Sequence, residues 1–181
     1  MSKNNIYIDE FKKLGLPVVF DNPYACNSKP KKIIKESSEQ KLTFNIMANK
    51  FVSETSIIKE YKIWDNAIEA IFDREYEADM IKSPNHLTFL SSLINLQKMV
   101  YVYMNDYLHL KYKKNGPENL KVWPHNLNIS MPKMILNKKN ITHAMIIKSI
   151  IKISKNKYKI SANTNVNGIT TISGEALIIV L

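Results

Sequence analysis

Between Ser83 and Met104 the chain reads SPNHLTFLSSLINLQKMVYVYM, and after its polar start it is apolar on almost every side of a helical projection. A surface helix shows one apolar stripe, whereas a helix apolar all round is a covered one. The pattern predicts one long helix from Ser83 to about Tyr107, with Ser83 as N-cap and Pro84 at the first helical position. Residues 55–78 follow a different rule. They are rich in β-branched and aromatic residues and alternate in places, which predicts a hairpin turning at Asp65-Asn66. The C-terminal third predicts four strands, in NLNISMPKMIL, THAMIIKSIIKIS, YKISANTNVNG and TTISGEALIIVL. Asn156-Lys157 and Asn167-Gly168 fall where tight turns are needed. Gly174 inside the last strand marks a bulge or a close backbone approach. Residues 1–15 predict a short amphipathic helix, residues 16–32 a proline-rich loop. KPKKIIKESSEQK reads as a solvated polar stretch, and KYKKNGPENLKVWPH as a polar connection.

The order is two strands, one long apolar helix, then a meander of three or four strands. A strongly curved antiparallel sheet wrapped around one apolar helix satisfies that order. The predicted class is therefore α+β, as in the hot-dog fold. Residues 1–45 are expected to form an N-terminal helix and loop segment, and 46–181 a single hot-dog domain.

Composition narrows the partners. The chain has 181 residues, 45% of them apolar, which suits one domain with a real core. Its formal charge is +10, and Arg74 is the only arginine. A basic chain favours acidic partners, but it also fits a Lys-, Asn- and Ile-rich compositional drift. Lone lysines read bases and phosphates less well than arginine forks. Zinc-finger spacing, a Rossmann glycine motif and a P-loop are all missing, so nucleic acid is not the expected partner. Neither a bilayer-spanning apolar run nor a signal-peptide core occurs, and Cys26 is the only cysteine. No membrane insertion is expected, and the expected location is cytoplasmic. No metal site or cofactor is expected.

Three blocks carry a resemblance. NPYACNSK (22–29), PNHLTFLSSLINLQKMVY (84–101) and ISGEALIIVL (172–181) resemble segments of the FcoT-like long-chain acyl thioesterases of mycobacterial type. They also resemble the related enoyl-carrier-protein glycyltransferases of isonitrile-lipopeptide pathways. The resemblance implies a dimer or dimer-based oligomer acting on acyl-CoA or an acyl-carrier protein. It carries over to Tyr24, His86 and Tyr101. The chain departs from the family at Thr88, where the family helix has Asn, and at Gln97, which stands in for the Asn of an Asn-Gln pair.

The residues themselves admit a matching chemistry. A helix N-terminus offers unpaired amides and a positive dipole end, where a thioester oxyanion is stabilised. The amides of Leu87 and Thr88 are the expected donors. His86 would orient substrate or shuttle a proton. Helical spacing puts Gln97 and Tyr101 on the His86 side, where Gln97 could hold a water or an amine. Tyr24 could close over the thioester, and Lys133 could face a pantetheine phosphate or a carrier protein. No carboxylate lies in the first four turns of the predicted helix, so polarisation and positioning outweigh a strong base. Thioester hydrolysis is the expected activity. Glycine addition to a 2-enoyl thioester on a carrier protein and non-catalytic acyl binding are the alternatives.

Overall fold

A computed structural model of the chain describes residues 29–47, 50–78, 86–112 and 118–181. The elements are β1 (Lys32–Met47), β2 (Lys50–Ile63), β3 (Ala67–Ala78), α1 (Phe89–Tyr107), β4 (Leu120–Ser130), β5 (Ile141–Ser154), β6 (Lys157–Val166) and β7 (Thr170–Val180). The strands form one sheet in the order β1-β2-β3-β5-β6-β7-β4. Every neighbouring pair is antiparallel. The Asp65-Asn66 hairpin and the last three C-terminal strands fall where the pattern put them.

The sheet is curved. β1 and β4 are its two edges. In a flat sheet they would lie about 29 Å apart, at about 4.8 Å per strand. Yet consecutive helix residues reach both edges. Gln97 Nε2 donates to the Val122 carbonyl of β4, and Lys98 Nζ to Ser38 of β1, at 3.3 and 3.4 Å. The sheet therefore closes around α1. Between them lies the apolar core, with Ile63, Phe72, Met99, Met104, Ile141 and Ile178 fully buried. Each such side chain contributes roughly 1.5–3 kcal/mol.

Three expectations need correction. The helix does not start at Ser83 with Pro84. Thr88 is its N-cap, and the helix spans 19 residues, shorter than expected. A helix already running at Pro84 would turn the Thr88 amide back along its own axis; instead that amide donates to Glu54 of β2. KPKKIIKESSEQK is not a solvated loop but lies largely within β1. Its lysines suit an edge strand, where charge discourages further pairing. β4 begins at Leu120, inside the expected polar connection, and ends before Pro132, which cannot donate to a ladder. The predicted helix over residues 1–15 lies outside the described residues. At the first turn of α1, Phe89 and Leu90 are exposed in the single chain.

The tight-turn expectations hold in detail at one site. Asn167 and Gly168 both have positive φ, 52° and 73°. Gly174 is a close approach. A Cβ there would sit 2.1 Å from the Asn126 carbonyl oxygen of β4, beside the register shift at His125. Gly174→Ala must push β4 outward and is expected to cost about 2 kcal/mol or more. Urea unfolding of the variant checks this; an unchanged midpoint would mean that β4 yields freely.

Candidate functional site

β2 alternates, so Glu54, Ser56 and Ile58 face the helix. The register sets Ser56 opposite Arg74 of β3, and Arg74 faces inward with Phe72. The result is a fully buried pair, Arg74 Nη1 to Glu54 Oε1 at 2.8 Å. The other carboxylate oxygen lies at the start of α1. It accepts from the Thr88 hydroxyl at 2.6 Å, the Ser91 hydroxyl at 2.5 Å and the Thr88 amide at 3.2 Å. Arg74 also donates from Nε to the Asn137 carbonyl at 3.1 Å. A negative charge at a helix N-terminus complements the dipole, and the guanidinium neutralises it in turn. α1 has no acid in its first turn, so a strand supplies one.

Beside this cluster a cavity of about 380 Å³ lies between α1 and strands β4 to β7. Leu90, Leu93, Ile94, Gln97 and Val100 line it from the helix. These residues span more than two turns, so the cavity runs along α1 from its first turn inward. Val122 and Leu127 of β4, with Met145 of β5, are among the residues on the opposite wall. None of Glu54, Arg74, Thr88 or Ser91 borders it.

The predicted site residues separate. Gln97 lines the cavity. His86 is half-buried and precedes the helix, so it does not share the helical stripe expected of it. Both predicted oxyanion donors are engaged internally. The Leu87 amide donates to the Ile135 carbonyl at 2.9 Å, and the Thr88 amide to Glu54. Tyr101 is half-buried and donates to Asn119 Oδ1 at 2.9 Å, in a knot with Asn105 rather than in the cavity. Lys133 is exposed on the loop after β4. Tyr24 lies outside the described residues.

Sequence reading missed Glu54. Its signal was available: a lone arginine in a lysine-rich chain, in register with a glutamate-bearing strand across a predictable turn. It also passed over His143 of β5. That ring is fully buried, with Nε2 3.2 Å from Thr164 Oγ1 and Nδ1 without a partner. Burial pushes its pKa down to about 3, so it is neutral at ordinary pH. Among the described residues, no group of three or more His, Cys, Asp or Glu side chains is placed to hold a metal. Also among the described residues, no helix is long and apolar enough to cross a membrane.

No family model matches the sequence. No curated protein matches it either. Among solved structures, the chain is similar to a mutant of the thioesterase PA1618 from Pseudomonas aeruginosa. They share 10% identity over 68% of this chain and 82% of that one, with a TM-score of 0.41. It is also similar to the thioesterase HI1161 from Haemophilus influenzae, at 13% identity over 70% and 79%, with a TM-score of 0.42.

The buried ion pair and the buried histidine each give a measurable outcome. Arg74→Met leaves Glu54 buried without its cation and is expected to cost about 3–5 kcal/mol. Chemical denaturation measures this, and a loss under about 1 kcal/mol would show that the hydroxyls alone hold the carboxylate. His143 gives a pH signature. Its folded pKa lies below its unfolded value of 6.5, so between the two the unfolded chain binds more protons. Its stabilising contribution is complete above pH 6.5 and is lost as pH falls toward 3. His143→Gln is expected to flatten that part of the stability profile. A variant profile parallel to the wild type would assign the slope to other groups.

Proposed function

We propose that the chain is a hot-dog protein that hydrolyses fatty acyl thioesters, with the acyl chain lying along α1. One observation carries the reading. The apolar cavity starts at Leu90, in the helix turn whose Phe89 and Leu90 amides have no acceptor among the described residues. An acyl chain in the cavity would hold its thioester carbonyl at those amides. They replace Leu87 and Thr88 as the oxyanion donors in this reading, because Glu54 and Ile135 take the latter.

Gln97 is the polar group for the water. Its Nε2 is held by the Val122 carbonyl, which leaves Oε1 to accept from a nucleophile. His86 would pass the proton near the helix start, and Tyr24 would close the mouth. Lys133 would meet the phosphates of coenzyme A or an acidic carrier protein. Tyr101, tied to Asn119, would shape the helix end rather than touch substrate. A second copy would pair along the open β4 edge and cover Phe89 and Leu90.

Non-catalytic acyl binding is the second reading. Glu175 is the one titratable residue bordering the cavity among the described residues, and its carboxylate is held by Lys159 at 2.8 Å. Glycine addition has less support. It needs a cation for the glycine carboxylate, and Arg74 is buried against Glu54.

Turnover of acyl-CoA of graded chain length, followed by thiol release and intact mass, separates the readings. Gln97→Ala is expected to lower kcat by roughly tenfold to a hundredfold with the fold intact. Leu93→Trp fills the cavity and is expected to shift preference to shorter chains. Saturable binding without thiol release would establish the binding protein. No binding at any length would remove both readings.

A further inference from the structure

The acids are not spread evenly along the chain. From Asn119 to Ser173-Gly174 there is no Asp or Glu, yet nine lysines occur there. Of 26 Lys and Arg residues, that leaves 17 against all 16 acids. Outside this stretch the chain is almost neutral. Lysine is about as frequent in this stretch as elsewhere, so what sets it apart is that all 16 acids lie outside it.

The fold turns this stretch into a surface. Val122 borders the cavity, while Ile160 and Ile178 are buried against the helix side. Their alternate neighbours therefore stand on the outer face of the sheet. Register then lines them up across four strands. Ile151, Lys159, Leu177 and Trp123 form one row through β5, β6, β7 and β4. Lys157, Ile179 and Lys121 form the next, with Lys155 at the adjoining turn. Trp123 is 67% exposed, Ile151 55% and Ile153 56%. Lys159 pairs with Glu175, but Lys121, Lys155 and Lys157 have no acidic partner among the described residues.

We propose that this outer face adsorbs to an anionic lipid bilayer, with Trp123 and Ile151 sinking into the headgroup region and the lysines meeting lipid phosphates. The pattern has both signals that stable peripheral attachment needs, apolar side chains and a basic patch. Tryptophan suits that depth because its ring is apolar and its N–H is polar. Other occupants fit less well. A second copy would set lysines against lysines. Nucleic acid would want a succession of stacking platforms, and beside Ile151, Leu177 and Ile179 this face offers one, Trp123. A carrier protein would have to dock on the side of the sheet away from the helix and cavity. Edge-to-edge pairing of β4 leaves the outer face open, so adsorption does not depend on the proposed hydrolysis. It requires no spanning segment.

The test is flotation of the intact protein with vesicles of phosphatidylcholine alone, or of phosphatidylcholine with phosphatidylglycerol at about three to one. Binding is expected to the anionic vesicles only, to weaken with salt, and to shift tryptophan emission to the blue. Lys121→Glu with Lys157→Glu is expected to lower partitioning by at least about tenfold, and Trp123→Ser to abolish the emission shift. These positions are exposed, and thermal melts report whether the variants stay folded. Equal binding to both vesicles, no binding to either, or an unchanged double variant would overturn the proposal. So would tighter binding to a single-stranded oligonucleotide than to the anionic vesicles.

Discussion

The carboxylate of Glu54 holds the rest of the arrangement in place. It joins β2 to the first turn of α1 through three hydrogen bonds, and joins β3 to the same point through Arg74. Arg74 extends the tie to the loop after β4 through the Asn137 carbonyl. Three separate stretches of sequence thus meet at one helix terminus. A buried ion pair is weak evidence for net stability, because desolvation offsets the attraction. Its consequence is geometric. A carboxylate with four hydrogen bonds fixes where the helix starts and which way it points across the sheet.

In the proposed hydrolysis, that fixed start determines where the thioester carbonyl would sit. The cap occupies Thr88, and Ile135 occupies Leu87, so the helix-start amides without an acceptor among the described residues are those of Phe89 and Leu90. Leu90 also borders the cavity, and so those amides and the apolar space adjoin. The curvature of the sheet does the rest. Because β4 is carried round to Gln97, the edge strand becomes the far wall of the cavity. The close approach at Gly174 sets how near that wall can come. Cap, curvature and glycine act on one site from three directions.

Much of this was legible in the sequence, and the failures share a cause. The helix body, the Asp65-Asn66 hairpin and the C-terminal strands were readable because each rests on local periodicity and turn chemistry. Gln97 shares a helical stripe with Leu90 and Leu93, and all three border the cavity. The helix start was misread because Ser83-Pro84 is a better local cap than Thr88. What decides for Thr88 is Glu54, which lies 34 residues earlier. The same long-range tie removed His86 from the helical stripe. β1 was hidden because an edge strand needs only one neighbour and tolerates a charged, weakly patterned sequence. The cavity itself is a property of sheet curvature, which has no local signature.

The two faces of the β4–β7 half of the sheet then divide the labour by strand alternation alone. Inward, Val122, Ile160, Ala176 and Ile178 make an apolar wall facing the helix. Outward, one residue along each strand, Trp123, Lys159, Leu177 and Ile179 meet the surroundings. A shift of one residue in any register would exchange the two sets. Such a shift would put lysine into the cavity and leave the apolar wall outside. The Asn167-Gly168 turn fixes the register of β6 on β7, and the bulge at His125 restores the inward phase of β4 beyond Pro124. Inward positions on these strands are mostly apolar, so their lysines gather on the outer face and at the strand ends. Because the strands are neighbours, Lys121, Lys157 and Lys159, far apart in sequence, come together on one surface.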